Sequence, residues 1–187
     1  MVSLRCKLVV GDELRKLGFE TLAVDLGQVE IKETPSAGQY DQIKQALEKL
    51  GFELLKDKKD ILVQQVKNII VELVHYGSEP LVLNLSIHIS NKLGYDYTYI
   101  SNLFSEQSGI TIEKFYIYHK IERVKELLSY NELTLTEIAF EMQYSSVAHL
   151  SNQFKKVTGL SPSQFKQLKD RKRIPIEDIG KTEAERN

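Results

Sequence analysis

Two short runs carry the side chains best suited to chemistry. Ile100-Ser101-Asn102-Leu103-Phe104 recurs 50 residues later as Leu150-Ser151-Asn152-Gln153-Phe154. An Asn amide pairs bidentately with adenine, a Ser hydroxyl bonds several bases, and a small apolar group touches the thymine methyl. With Thr98 before the first run, and Val147 and Ala148 before the second, each run offers a small polar face that could read base edges. Neither face holds an Arg, so bidentate guanine reading is weak and an A·T-leaning target is expected. Lys155, Lys156, Lys166 and Arg173 follow the second run and are placed to meet phosphates, contacts that position a protein on a duplex.

Other chemistries find little support. The four His (His75, His88, His119, His149) stand at spacings that make no metal pair, and each reads as a surface or capped side chain. Phosphate-binding Gly loops, HExxH and GxSxG are absent. With no nucleophile–base or paired-carboxylate constellation, an enzyme is not expected, nor is a cofactor. The single Cys, Cys6, excludes an intramolecular disulfide. No apolar run is long enough for a membrane helix, and Arg5, Lys7, Asp12 and Glu13 interrupt any signal-peptide core. A cytoplasmic protein without a membrane partner is therefore expected.

The 187 residues hold 25 Lys+Arg against 26 Asp+Glu, a net charge of −1 that argues for no polyanion partner on average. Location changes this. Residues 141–173 hold seven basic and two acidic residues, a local +5 around the second run. Residues 84–110 sum to −1, residues 1–60 to −1, and the tail 174–187 to −2. A basic cluster beside one copy of a repeat is the footprint of phosphate binding.

The elements that position these side chains follow from the repeat. Gly109 recurs as Gly159 and Phe115 as Phe165 at the same offset, while Ile89–Tyr95 matches Ile138–Tyr144 one residue closer. Each copy reads as helix, short turn, helix. In copy one the helices are Leu85–Leu93 and Tyr97–Gln107, with Ile100, Leu103 and Phe104 inward and Gly109 as a left-handed cap. In copy two Thr136 is the expected N-cap, with Ile138, Ala139 and Met142 inward. Its second helix, Val147–Thr158, turns Leu150, Phe154 and Val157 inward. Between the copies, Ile112–Tyr130 is one amphipathic run carrying Phe115, Ile117, Ile121, Val124, Leu127 and Leu128. Its length of about 28 Å at 1.5 Å per residue approaches the ~34 Å between successive major-groove faces of B-DNA.

Residues 1–56 differ. Leu8, Val9, Leu14 and Leu17 mark a helix ended by Gly18. Thr21–Leu26 and Val29–Lys32 form a hairpin around Gly27. Ile43, Ala46, Leu47 and Leu50 mark a second helix ended by Gly51, and Phe52–Leu55 reads as a final strand. Asp57–Asp60 is a polar break. Ile61–Tyr76 then begins the helical part, and Ser78-Glu79-Pro80 ends that helix.

Residues 83–173 resemble the AraC/XylS family of bacterial transcription regulators. The likeness rests on Ile121-Glu122-Arg123-Val124-Lys125-Glu126-Leu127-Leu128, on Thr136-Glu137-Ile138-Ala139, and on Phe154-Lys155-Lys156-Val157-Thr158-Gly159-Leu160-Ser161-Pro162-Ser163-Gln164-Phe165. The resemblance implies two helix-turn-helix units in adjacent major grooves, with double-stranded DNA and the transcription machinery as partners. Gln143 departs from it, standing where Gly usually precedes the aromatic of copy two. Ser86, His88 and Ser90 also make copy one's first helix more polar than usual.

Residues 1–56 resemble instead a heavy-metal-associated domain, a ferredoxin-like βαββαβ fold. Ser3 occupies the first position of that family's Cys-x-x-Cys pair and only Cys6 remains; the first strand would precede Met1. Soft-metal binding needs at least two thiolates for a linear site, so Cys6 serves only with a thiol from a partner chain. The expected role is instead that of a degenerate domain for dimerisation or effector sensing, with metal binding at Cys6 the lesser alternative.

The expected architecture is a small α+β ferredoxin-like domain at 1–56, possibly lacking its first strand. An all-α domain at 61–173 follows, with two helix-turn-helix units joined by a long helix, and then a polar tail at 174–187. The expected function is sequence-specific DNA-binding regulation of transcription. The alternative is a metal-handling or protein-interaction module that uses the helical repeat for protein contacts.

Overall fold

The computed structural model describes residues 3–55, 57–77, 84–168 and 175–180. The chain forms two compact units, residues 1–68 and 69–187.

In the first unit, α1 (Leu4–Lys16) is capped by Ser3, whose Oγ accepts from the Cys6 N–H. Its buried stripe is Val10, Gly11 and Leu14. Leu8 and Val9, expected inward, are exposed instead. Three consecutive apolar residues cannot share one helix face, and Val10 aligns with Leu14 and Leu17 at steps of four and three. The hairpin follows, with β1 (Thr21–Asp25) antiparallel to β2 (Gln28–Ile31). Gly27 turns it at φ +76, and the Asn68 amide donates to the neighbouring Leu26 carbonyl at 2.6 Å. Helix α2 (Ala37–Lys49) begins with a Ser36/Gln39 capping box and buries Ile43 and Leu47. Leu50 is exposed. Val10, Leu14, Phe19, Ile43 and Leu47 form the core.

Phe52–Leu55 is not a strand. Phe52 and Leu54 do pack on the core, but a strand exists only with a hydrogen-bonded neighbour. Among the described residues the sheet holds β1 and β2 alone, short of the four strands of a ferredoxin-like fold. Helix α3 (Lys58–Val71) starts where the Asp57 carboxylate accepts from the Lys59 N–H.

The second unit is helical. A π-helical turn, Glu72–Tyr76, leads in; the expected stop at Ser78-Glu79-Pro80 lies outside the described residues. Then come α4 (Leu85–Leu93), α5 (Tyr97–Ser108), α6 (Ile112–Tyr130), α7 (Leu135–Glu141), α8 (Val147–Thr158) and α9 (Pro162–Gln167). Both copies close in the same way. Phe104 of α5 meets Phe115 of α6 with centroids 5.5 Å apart, and Phe154 of α8 meets Phe165 of α9 at 5.6 Å, both edge to face. Gly109 and Gly159 end the second helices in the left-handed region. Thr111 and Ser161 then cap the closing helices.

Two expectations in copy two are corrected. The N-cap of α7 is Thr134, not Thr136, because only Thr134 has Glu three residues on to complete a capping box. Val157, expected inward, is 36% exposed, since Leu150 and Phe154 already fill the buried stripe of α8.

Candidate nucleic-acid interface

Each second helix presents its small polar residues to solvent. On α5, Thr98 and Asn102 are exposed and Ser101 is half-buried; on α8, Ala148 and Asn152 are exposed and Val147 and Ser151 half-buried. These positions follow from the opposite stripes. Ile100, Leu103 and Phe104 anchor α5, and Leu150 and Phe154 anchor α8. Lys155 and Lys156 lie exposed in the last turn of α8, and Lys166 is half-buried on α9. Arg173 lies outside the described residues.

The N-termini of the two helices differ. Asp96 caps α5, accepting from the Thr98 and Tyr99 N–H groups at 2.8 and 3.3 Å. Ser146 caps α8, accepting from the His149 N–H at 3.0 Å. The turns differ too. Gly94 ends α4 at φ +73, while Gln143 holds the left-handed conformation after α7 at φ +53. Lacking Gly, copy two places an L side chain there and accepts the Cβ crowding that this conformation brings.

Helix α6 holds the copies together. Glu122 and Lys125 pair at 2.6 Å with side chains only 10% and 8% exposed. Arg123 pairs with Glu126 at 2.7 Å and reaches Glu141 of α7 at 4.0 Å. The Lys120 ammonium lies 4.0 Å from the centre of the Tyr144 ring, and burial lowers its pKa to about 8. At the other end, the Tyr97 hydroxyl donates to Glu113 at 2.5 Å. That bond holds the Glu113 carboxyl below its ordinary pKa, and burial with the same bond raises that of Tyr97.

Sequence reading missed one pair. His75 and His119, taken as surface or capped, meet with Nε2 and Nδ1 3.2 Å apart. His119 is fully buried and its Nε2 has no hydrogen-bond partner. Burial, then the Arg123 charge, lowers His75 to about 4; burial, then His75, lowers His119 to about 3. A separation of 44 residues hides this contact from any local pattern.

The residues of the first unit do not fit a soft metal. The Ser3 hydroxyl lies 3.2 Å from the Cys6 sulfur, so the one thiol of the chain has a hydroxyl and no second thiol beside it. Among the described residues no three His, Cys, Asp or Glu converge on a metal position. Among them also, no helix is long and apolar enough to cross a membrane.

Residues 89–168 match the family described as helix-turn-helix domain. The chain is 24% identical over 106 residues to the HTH-type transcriptional regulator YtdP of Bacillus subtilis, covering 56% of this chain and 14% of that protein. It is 27% identical over 166 residues to the HTH-type transcriptional regulator YdiP of Escherichia coli, covering 84% of this chain and 52% of that one. It thus spans between a seventh and about half of the length of these relatives. The C-terminal domain of AraT, a response regulator from Geobacillus stearothermophilus, superimposes with a TM-score of 0.51 at 24% identity, covering 64% of this chain and 92% of that one. Residues 89–168 are thus similar to a helix-turn-helix domain, and the superposition shows that the second unit shares the fold of that structure.

Proposed function

We propose that the second unit sets α5 and α8 into adjacent major grooves of one duplex and regulates transcription from the site it reads. One observation carries this: on either side of one 19-residue helix, α5 and α8 carry a Ser–Asn pair at equivalent positions, the Asn exposed and the Ser half-buried. Thr98, Ser101 and Asn102 read one groove; Val147, Ala148, Ser151 and Asn152 read the next. Lys155, Lys156, Lys166 and Arg173 hold the phosphates. Contacted positions are A·T-leaning. The transcription machinery is the further partner, and the first unit serves homodimerisation or effector sensing.

The test is site selection from random duplexes, followed by mobility shifts on the selected site and on random DNA. Asn152→Ala is expected to cost about 1–3 kcal/mol on the selected site and little on random DNA. Lys155→Ala is expected to weaken both alike and to reduce the salt slope by about one. Equal effects of the two variants on random DNA, or a G·C-rich selected motif, would contradict this assignment of roles.

A further inference from the structure

Lys120 is a buried cation without an anion. It is only 9% exposed on α6, and among the described residues no carboxylate or other hydrogen-bond acceptor meets its ammonium. The charge is surrounded by aromatic rings instead, with the centre of Tyr144 at 4.0 Å and that of Tyr116 at 5.5 Å. Lys125, comparably buried on the same helix, has the ordinary solution, a carboxylate at 2.6 Å. Cation–π contacts offset part of the desolvation of Lys120. Its N–H groups still need acceptors, and leaving them unmet away from water is costly.

Lys120 lines a cavity of about 1300 Å³ contained within the second unit, between α6, α7 and the π-helical turn. Arg123, one turn along the same face of α6, lies on the same wall. Its Nη1 donates to Glu126 and Glu141 stands 4.0 Å away, so part of its fork of donors is unspent. Two carboxylates also line the cavity, and both are engaged. Glu137 accepts from the Thr134 N–H and hydroxyl, each at 2.7 Å, and Glu141 faces Arg123. Much of the remaining wall is apolar, formed by Leu73, Val74, Met142 and Phe140. Phe140 is 87% exposed, a large aromatic ring left uncovered. An unpaired ammonium and an uncovered ring thus meet in one cavity, and a single ligand answers both.

We propose that this cavity binds a small monocarboxylate with an apolar body. The carboxylate pairs with Lys120 in the cage of Tyr116 and Tyr144 and takes a further N–H from Arg123. The body covers Phe140 and lies against Leu73, Val74 and Met142. A dianion such as phosphate is disfavoured by Glu137 and Glu141. The cage is set before the ligand arrives, because the Tyr144 hydroxyl donates to Gln153 at 2.6 Å and holds the ring in place. The site shares no residue with the small polar faces of α5 and α8, so it does not depend on their meeting DNA.

The test titrates the full chain with octanoate and with naphthoate, each beside its neutral amide, and follows backbone and tyrosine-ring shifts by NMR. At least one acid binds saturably, at about millimolar or tighter, with shifts centred on Tyr116, Lys120, Phe140 and Tyr144. Its amide binds about 10-fold or more weakly. Lys120→Met removes the charge but keeps an unbranched chain between the rings. Affinity for the acid then falls about 10–100-fold, and acid and amide bind alike. Phe140→Ala weakens acid and amide together, by about threefold or more. Inorganic phosphate does not compete. The proposal is overturned by no saturable binding of either acid, by equal binding of acid and amide to the unaltered chain, by competition from phosphate, or by shifts centred on Lys155 and Lys156. The comparison of acid with amide needs no variant, so it decides even if Lys120→Met fails to fold.

Discussion

Acidification is expected to destabilise the second unit through His75 and His119. Both have folded-state pKa values lowered from 6.5, to about 4 and about 3, by burial first. Arg123 lowers His75 further, Glu126 opposes it, and His75 adds to the shift of His119. A lowered pKa means that the unfolded chain takes up the proton first as pH falls. The stability due to neutral imidazoles is therefore complete above about pH 6.5 and is lost progressively as pH falls toward the folded values. Each group costs about 1.4 kcal/mol per pH unit in that window. From pH 7.5 to 5.0, 1.5 units lie below 6.5, so each imidazole costs about 2 kcal/mol. The pair shares one bond and one pocket, which bounds the total at about 2–4 kcal/mol. Against a usual stability of about 5–15 kcal/mol, a fall of 10 °C or more in melting temperature follows.

The geometry explains why protonation is resisted. One ring nitrogen must donate and the other accept across 3.2 Å; two imidazolium rings would set two N–H groups against each other. The buried Nε2 of His119 has no partner to receive a second proton, and the Phe115 ring lies 4.5 Å from that imidazole. The assay is thermal melting by circular dichroism between pH 7.5 and 5.0, above the range where ordinary carboxylates titrate. The variant is His75→Gln with His119→Leu, compared by the pH dependence of its stability rather than by its absolute melting point. It should lose most of the slope below pH 6.5. A slope as steep as in the unaltered chain would refute the reasoning.

The other expectations are local. Gln143→Gly should stabilise the second unit by about 0.5–1 kcal/mol in urea unfolding, because Gly occupies φ +53 without the Cβ penalty. Glu122→Ala should cost about 3 kcal/mol, since it leaves the Lys125 ammonium, 8% exposed, without its carboxylate. Replacing Lys125 in the same chain with Met should recover much of that loss. Gly27→Val should destabilise the first unit by more than about 2 kcal/mol, because a Cβ at Gly27 would overlap the Asn68 amide and the backbone is left-handed there. Hydrogen exchange at β1 and β2 would report the last of these.

The helical repeat was legible because its signals are local. Phe104 and Phe154, Gly109 and Gly159, and Phe115 and Phe165 recur at one offset, and each pair does the same work in both copies. The Thr134 cap was also legible in principle. Thr134 and Thr136 are both of a type that caps helices, but only Thr134 precedes a Glu at the third helical position. Failures came where the outcome depends on a distant neighbour. Phe52–Leu55 has the alternation of a strand, yet pairing needs an edge that nothing in those four residues specifies. Leu8, Val9 and Val10 are equally apolar, and only the packing of α1 against α2 and the hairpin decides that Val10 goes in. His75 and His119 sit in unrelated segments, and their contact exists only because the π-helical turn at Glu72–Tyr76 packs on α6.

The two copies share a fold but not an electrostatic role. Asp96 places a carboxylate at the N-terminus of α5, where the helix dipole welcomes it and a phosphate would not. Ser146 leaves the same end of α8 neutral, and Lys155 and Lys156 add positive charge to its last turn. If the proposed function holds, copy two would draw the duplex, while copy one would approach it against local repulsion. On that proposal copy one would still contribute, because α6 would make its encounter intramolecular. Once α8 is seated, α5 is presented at high effective concentration, provided that the helix between them does not bend. The buried Glu122–Lys125 pair, the Arg123 contacts to Glu126 and Glu141, and the Phe115 packing at its first turn all oppose such bending. On this reasoning the sequence preference of α5 is expressed through the stiffness of α6 as much as through Thr98, Ser101 and Asn102.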